Sequence, residues 1–203
     1  MKNLAKQGFV INKKQAEIIT EEQEQLMWEK GVMGTDTPEK LLNTLVYQLG
    51  LNFALRAGQE HRNLRCGPYS QITVKQDSDG KTYLEYREDV SKTNAGGLLH
   101  RKVTPKVTRA YENTVLPDQC PVKIYQKFMS LRPKTGKCSA LYLRPKKTPS
   151  PDCWYCDSPL GVHILQQTVG KLCEEAGFKG YFTNHSLRAT AAKRLYKAGF
   201  DEQ

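Results

Sequence analysis

The chain has 203 residues, 38% hydrophobic and 26% charged, with 31 basic side chains against 21 acidic ones and a formal net charge of +10. That length suffices for one domain, or two small ones, with a real core. No apolar run is long enough to span a bilayer and no apolar leader follows Met1, so a membrane protein is not expected and an intracellular one is.

The charge is uneven. The first fifty residues carry six lysines against seven acids, and the remainder holds a surplus of eleven bases. Three stretches contain bases and no acid. Residues 91–111 hold Lys92, Arg101, Lys102, Lys106 and Arg109. Residues 119–151 hold Lys123, Lys127, Arg132, Lys134, Lys137, Arg144, Lys146 and Lys147. Residues 176–200 hold Lys179, Arg188, Lys193, Arg194 and Lys197. A polyanion is the natural partner of such a surface. Nucleic acid is favoured over a membrane, because no strongly amphipathic basic helix stands out.

Six cysteines are present, and Cys153 and Cys156 form a C-x-x-C with His163 seven residues on. A zinc site needs four ligands, usually as two close pairs, and only one good pair is evident. Unpaired thiols are expected ahead of a metal site, and no cofactor is expected.

In chain order, residues 13–30 read as a polar, acidic helical arm ending near Gly31, with Ile18, Ile19, Leu26 and Trp28 as contacts. Thr37 followed by Pro38 is a helix start, a cap with proline at the first helical position. Leu41, Leu42, Leu45, Val46 and Leu49 give it a 3.6-residue stripe, interrupted at Gly50, and Arg56 follows its apolar continuation. Ile72 and Val74, a turn at residues 77–80, and Tyr83, Leu84 and Tyr86 predict a hairpin. A glycine-rich turn and short strand within residues 91–103 would complete a three-stranded antiparallel sheet. Residues 121–131 read as a helix with Val122, Tyr125, Phe128 and Met129 on one side. Residues 130–158 read as irregular, apart from the apolar 140–143. Residues 159–176 are helical again, with Val162, Leu165, Val169 and Leu172 facing in and Ile164 as a further candidate. The last helix is expected to be capped by Ser186, to bury Leu187, Ala191, Leu195 and Ala198, and to close at Gly199. His185 and Arg188, three apart, then project from its start. With the positive end of the helix dipole they make a seat for one phosphate.

The order Arg56, hairpin lysine Lys92, then His185-x-x-Arg188 resembles the catalytic domain of tyrosine recombinases and integrases. The closer resemblance is to the recombinase-derived domain of Crypton transposons and of the zinc-finger MYM-type and glutamine-rich proteins descended from them. It is carried by LLNTLVYQLGLNFALRAGQEHRNLR, VSKTNAGGL, CPVKIYQKFMSLRP, CWYCDSPLGVHIL and FTNHSLRATAAKRLYKAGFDEQ. It covers the chain from about Gln15 onward.

The resemblance implies an α+β fold, mainly helical with a small three-stranded antiparallel sheet. It implies an N-terminal helical arm over residues 1–33 and a recombinase-like domain over residues 34–203. Arg56 and Arg188 would clamp a phosphate, Lys92 would be the general acid, with Lys102 as the alternative, and His185 would assist proton movement. Lys102, Lys134, Lys137, Arg144, Lys146, Lys147 and Lys193 are candidate DNA contacts. The family usually places a glutamate three residues after the first arginine; here Gln59 has that spacing and Glu60 follows. The family's second His or Trp and its nucleophilic tyrosine lie beyond Gln203, and Tyr196 lies within the helix and is no substitute. The expectation is therefore a C-terminally incomplete domain that binds duplex DNA in the nucleus and is inactive in recombination as given. An interaction module of a transcription regulator, with nuclear protein partners, is the alternative. Assembly on DNA is left open.

Overall fold

The computed structural model describes residues 14–56, 58–89 and 105–199. Six helices are described: α1 Glu21–Glu29, α2 Pro38–Phe53, α3 Gly58–Asn63, α4 Pro121–Ser130, α5 Val162–Glu175 and α6 Asn184–Lys197. A three-stranded antiparallel sheet is formed by β1 Ile72–Gln76, β2 Thr82–Arg87 and β3 Val107–Tyr111 in that order. A second, two-stranded sheet pairs β4 Leu143–Ser150 with β5 Cys153–Pro159. The α+β architecture is as expected. No described helix is long and apolar enough to cross a membrane.

The centre is α2. Thr37 caps it by accepting the Lys40 N–H, and Pro38 opens its first turn. From Leu41 on it is buried on nearly every side, Thr44 and Gln48 included, so it is surrounded rather than lying on a surface. Leu41, Leu42, Leu45, Val46, Leu49 and Phe53 enter one core with the sheet, α4 and the β4–β5 hairpin. Tyr47 and Leu51 enter a second core with Ile19, Met27, Met33, Val169, Leu172 and Leu187. Each fully buried leucine stabilises the fold by about 2 kcal/mol relative to an exposed one. Gly50 does not interrupt the helix. A β-carbon there would stand 2.5 Å from Leu187 Cδ1 and 3.2 Å from His61 Nε2. Close approach therefore demands glycine, and burial outweighs its roughly 1 kcal/mol helix penalty.

The first helix is shorter than its polar pattern suggests. Residues 14–20 are not helical, and α1 starts after Thr20, which exchanges capping bonds with Gln23. The late start has a reason: Ile19 donates its N–H to Thr190 Oγ1 at 2.8 Å and Glu17 to Tyr181 O at 2.9 Å. These bonds take backbone groups that a helix would have used.

The β1–β2 hairpin forms where the alternation placed it. Its turn is held by Asp77 Oδ1, which accepts the N–H groups of Asp79 and Lys81, and by Gly80 at φ +78°. The third strand is β3, at 107–111. The stretch in which the sequence predicts it, residues 91–103, lies outside the described residues.

Two expectations fail for long-range reasons. Residues 143–159 are not irregular but form the β4–β5 hairpin, with register shifts on either side of Pro145. Prolines and lysines hide the strands, since proline cannot donate to a ladder and is tolerated at edges and bulges. Tyr155 anchors the hairpin: its ring is fully buried and its hydroxyl donates to Pro38 O at 2.9 Å. In α5, Leu165, Val169 and Leu172 are buried as expected, but Ile164 is exposed.

Candidate nucleic-acid interface

The start of α6 is built differently from its expected form. Thr183, not Ser186, is the N-cap. Its side chain accepts the His185 N–H at 3.2 Å, and the Ser186 hydroxyl accepts the Thr183 N–H at 3.0 Å. Ser186 is the returning arm of a capping box, an arrangement that satisfies two otherwise orphaned N–H groups. The shift by three residues also moves the buried stripe. Asn184, Ser186, Leu187 and Thr190 are buried, Ala191 is half-buried, and Leu195 and Ala198 are exposed. Gly199 closes the helix at φ +86°.

His185 and Arg188 are both exposed and line one open groove of about 470 Å3. Lys14, Gln15, Tyr181 and Thr183 share it. Two cations beyond the histidine thus converge at the positive end of a helix dipole. The His185 N–H is already spent on the cap, so the attraction for an anion comes from side chains and dipole. Lys14 and Tyr181 were not singled out from the sequence. Their presence depends on the pairing of Glu17 with Tyr181, 164 residues apart, which no local pattern carries.

Arg56 sits where α2 ends, and the turn into it is strained. Ala54 adopts φ 52°, left-handed, at the C-cap. Such a conformation costs a non-glycine residue on the order of 1 kcal/mol. Glu60 accepts the Arg56 N–H at 2.6 Å and stands 3.9 Å from Arg56 Nε, whereas Gln59 bonds Asn63.

The two arginine-bearing segments rest on one support. A β-carbon at Gly58, two residues after Arg56, would meet Gln166 Cγ at 2.3 Å and Val162 O at 3.0 Å. Asn184, beside His185, donates to Leu165 O at 3.2 Å. Both segments therefore lie on the first two turns of α5. His61 completes the packing. It is fully buried, its Nδ1 is 3.0 Å from the Tyr142 hydroxyl, and burial lowers its pKa to about 3, so it is neutral at pH 7. Lys92 and Lys102 lie outside the described residues.

Of the remaining candidate contacts, Lys134, Lys137, Arg144, Lys147 and Lys193 are exposed and Lys146 is half-buried. Asp157 fixes the loop bearing Lys134 and Lys137 by accepting the N–H groups of Lys137 and Cys138, both at 2.9 Å. Those two bonds, first of all, hold its carboxyl below the usual range. Two bases of the acid-free stretches are committed elsewhere. Arg132 donates to Leu141 O, to Ala140 O at 3.0 Å and to Cys138 O at 3.2 Å. Arg194 pairs with Glu24 at 2.5 Å. Cys153 and Cys156 are half-buried on β5, and Lys146 Nζ lies 3.2 Å from the Cys153 sulfur. Among the described residues no group of three or more His, Cys, Asp or Glu could hold a metal.

Known proteins share this fold. The structure superposes on XerH site-specific recombinase bound to palindromic difH substrate, in a post-cleavage complex, with a TM-score of 0.58 and 15% identity. The match covers 95% of this chain and 45% of that one. The pre-cleavage complex with difH gives 0.54. The fold is that of a tyrosine-recombinase catalytic domain, as the resemblance implied. Human zinc finger MYM-type protein 2 is 27% identical over 165 residues, 75% of this chain and 12% of that protein. The human uncharacterized protein KIAA1958 is 28% identical over 160 residues, 75% of this chain and 21% of that one. Human transcriptional regulator QRICH1 is 26% identical over 157 residues, 73% of this chain and 20% of that protein. The chain thus spans between about an eighth and a fifth of the length of these relatives. Residues 18–174 match the family described as a domain of unknown function, DUF3504, and the chain belongs to that family.

Proposed function

We propose that this chain is a DNA-binding domain of tyrosine-recombinase type that grips duplex DNA by its phosphates, in the nucleus. The observation that carries the reading is the convergence of His185, Arg188 and Lys14 on one open groove at a helix start. The segment bearing Arg56 is seated on the same two turns of α5. Arg188 and Arg56 are the phosphate clamps in this reading, because a guanidinium fork matches two non-bridging oxygens. Where a tyrosine attacks such a phosphate, the same forks stabilise the charge that grows in the transition state. Lys92, with Lys102 as the alternative, then protonates the leaving oxygen, and His185 assists. Lys134, Lys137, Arg144, Lys146, Lys147 and Lys193 extend the grip along the backbone. Residues 1–33 act as an arm to the domain at 34–203.

The test is duplex affinity against salt for the parent chain and for Arg56→Ala with Arg188→Ala. Binding weakens with a logarithmic slope of about −0.9 per phosphate neutralised. The double variant should lower that slope by about two. Unchanged binding would remove the two arginines from the interface. A second reading, a module for protein partners, draws on the relative named a transcriptional regulator. It is the reading left if duplex DNA is not bound at low salt.

A further inference from the structure

The three-stranded sheet has one face in the core and one turned away from it. Ile72, Leu84, Tyr86 and Ala110 enter the core. Strand alternation puts Lys75, Tyr83, Glu85, Arg87, Arg109 and Tyr111 on the other face. The register sets Glu85 opposite Arg109 and Tyr83 opposite Tyr111.

Glu85 is the centre of that face. Lys75 Nζ stands 2.6 Å from its carboxylate, Arg109 Nε 3.5 Å and Arg87 3.9 Å. The Glu85 side chain is only 7% exposed, while Lys75, Arg87 and Arg109 are 45%, 65% and 51% exposed. Arg109 is also held from its flank: its guanidinium lies 5.0 Å from the Tyr83 ring centre, and Tyr83 and Tyr111 rings are 5.1 Å apart.

One carboxylate needs one cation. An exposed ion pair contributes little to stability, typically below about 1 kcal/mol. Three cations gathered on one acid repel one another and leave a surplus of two positive charges on this face. The carboxylate and the tyrosines hold the nearest guanidinium in place, so less side-chain freedom is lost on binding. β3 belongs to the acid-free stretch at 91–111, and Lys106, exposed, pairs with the end of β2 through the Glu88 N–H. Lys106 thus adds one base at the sheet edge, beside Glu88.

We infer that the outer face of this sheet is a second docking surface for the phosphate backbone of duplex DNA, with Arg87, Arg109 and Lys75 as its contacts and Glu85 as the residue that positions them. The inference rests on the DNA-binding reading and adds a surface apart from the groove at α6. Duplex DNA is the occupant the charge favours, because three exposed cations surround one nearly buried carboxylate and together match a run of phosphates.

The experiment is duplex-DNA anisotropy against salt on the whole chain, with four variants alongside the parent. Arg87→Ala with Arg109→Ala should lower the salt slope by about two, and Lys75→Ala by about one. His185→Ala with Arg188→Ala should lower it independently. Glu85→Gln should keep the salt slope of the parent, since the three cations remain, but bind more weakly at each salt, since their side chains are freed; binding as tight as the parent's or tighter overturns the positioning role of Glu85. A sheet variant that binds like the parent while the groove variant is impaired overturns the sheet surface and leaves the DNA-binding reading standing. Failure of the parent to bind DNA at low salt overturns both. Loss of binding to polyglutamate, with DNA binding unchanged, assigns the face to an acidic protein and overturns this inference.

Discussion

Gly50 and Leu187 touch so closely that a β-carbon at position 50 would stand 2.5 Å from the Leu187 Cδ1 atom. Leu187 lies between His185 and Arg188 in the first turns of α6 and is fully buried. The central helix therefore sets the height of the groove, through one missing methyl group.

Gly50→Val tests that relationship. Overpacking of this kind typically costs about 1–3 kcal/mol, and valine gains little of the helix propensity that alanine would. Chemical denaturation should show a loss of about 2 kcal/mol. DNA affinity at fixed salt should fall as well, because α6 is displaced. A variant as stable as the parent would mean that α6 is free to shift.

Thr183→Ala should cost about 1 kcal/mol, the usual worth of an N-cap side chain, and Thr183→Ser should be nearly neutral. If Ser186 were the cap instead, Thr183→Ala would be harmless. Thermal unfolding of the two variants side by side separates the alternatives.

His61 makes stability pH-dependent. Burial lowers its folded pKa to about 3, while the unfolded side chain titrates near its ordinary 6.5. The folded state excludes a proton that the unfolded state binds, so stability is full above about pH 6.5 and falls as pH drops toward 3. The slope approaches about 1.4 kcal/mol per pH unit for one proton. Between about pH 7.5 and about pH 5 the parent should lose about 2 kcal/mol more than His61→Gln does. Parallel pH profiles would show that the imidazole is reached by water.

Arg132 offers a control for charge against structure. It is one of the bases in the acid-free stretch, yet its guanidinium is spent on three backbone carbonyls. Arg132→Ala should lower stability by about 2–3 kcal/mol through unpaired acceptors. Its DNA salt slope should stay that of the parent, unlike that of Arg188→Ala. A lower slope would place Arg132 on the DNA.

Much of this molecule is written locally. The leucine stripe and Thr37-Pro38 start of α2, the hairpin with its Asp77 turn, and the apolar positions of α4 and α5 all follow from neighbours a few residues apart. The order of Arg56, His185 and Arg188 is read along the chain too, and the fold follows from the family resemblance it carries. Period, cap and turn chemistry act over one or two turns of chain, so a single sequence displays them. What the tertiary structure alone decided involves contacts across most of the chain. Residues 14–20 are not helical because Thr190 and Tyr181 take the N–H groups of Ile19 and Glu17. The proline-bearing β4–β5 segment is a hairpin because Tyr155 is swallowed by the core. Helix α6 begins at Thr183's cap, and Leu195 is left outside. Equal-looking bases diverge as well: Arg132 and Arg194 are tied to partners, whereas Arg188 faces an open groove. Charge and periodicity state what a residue favours. Only the packing of distant segments decides which partner reaches it first.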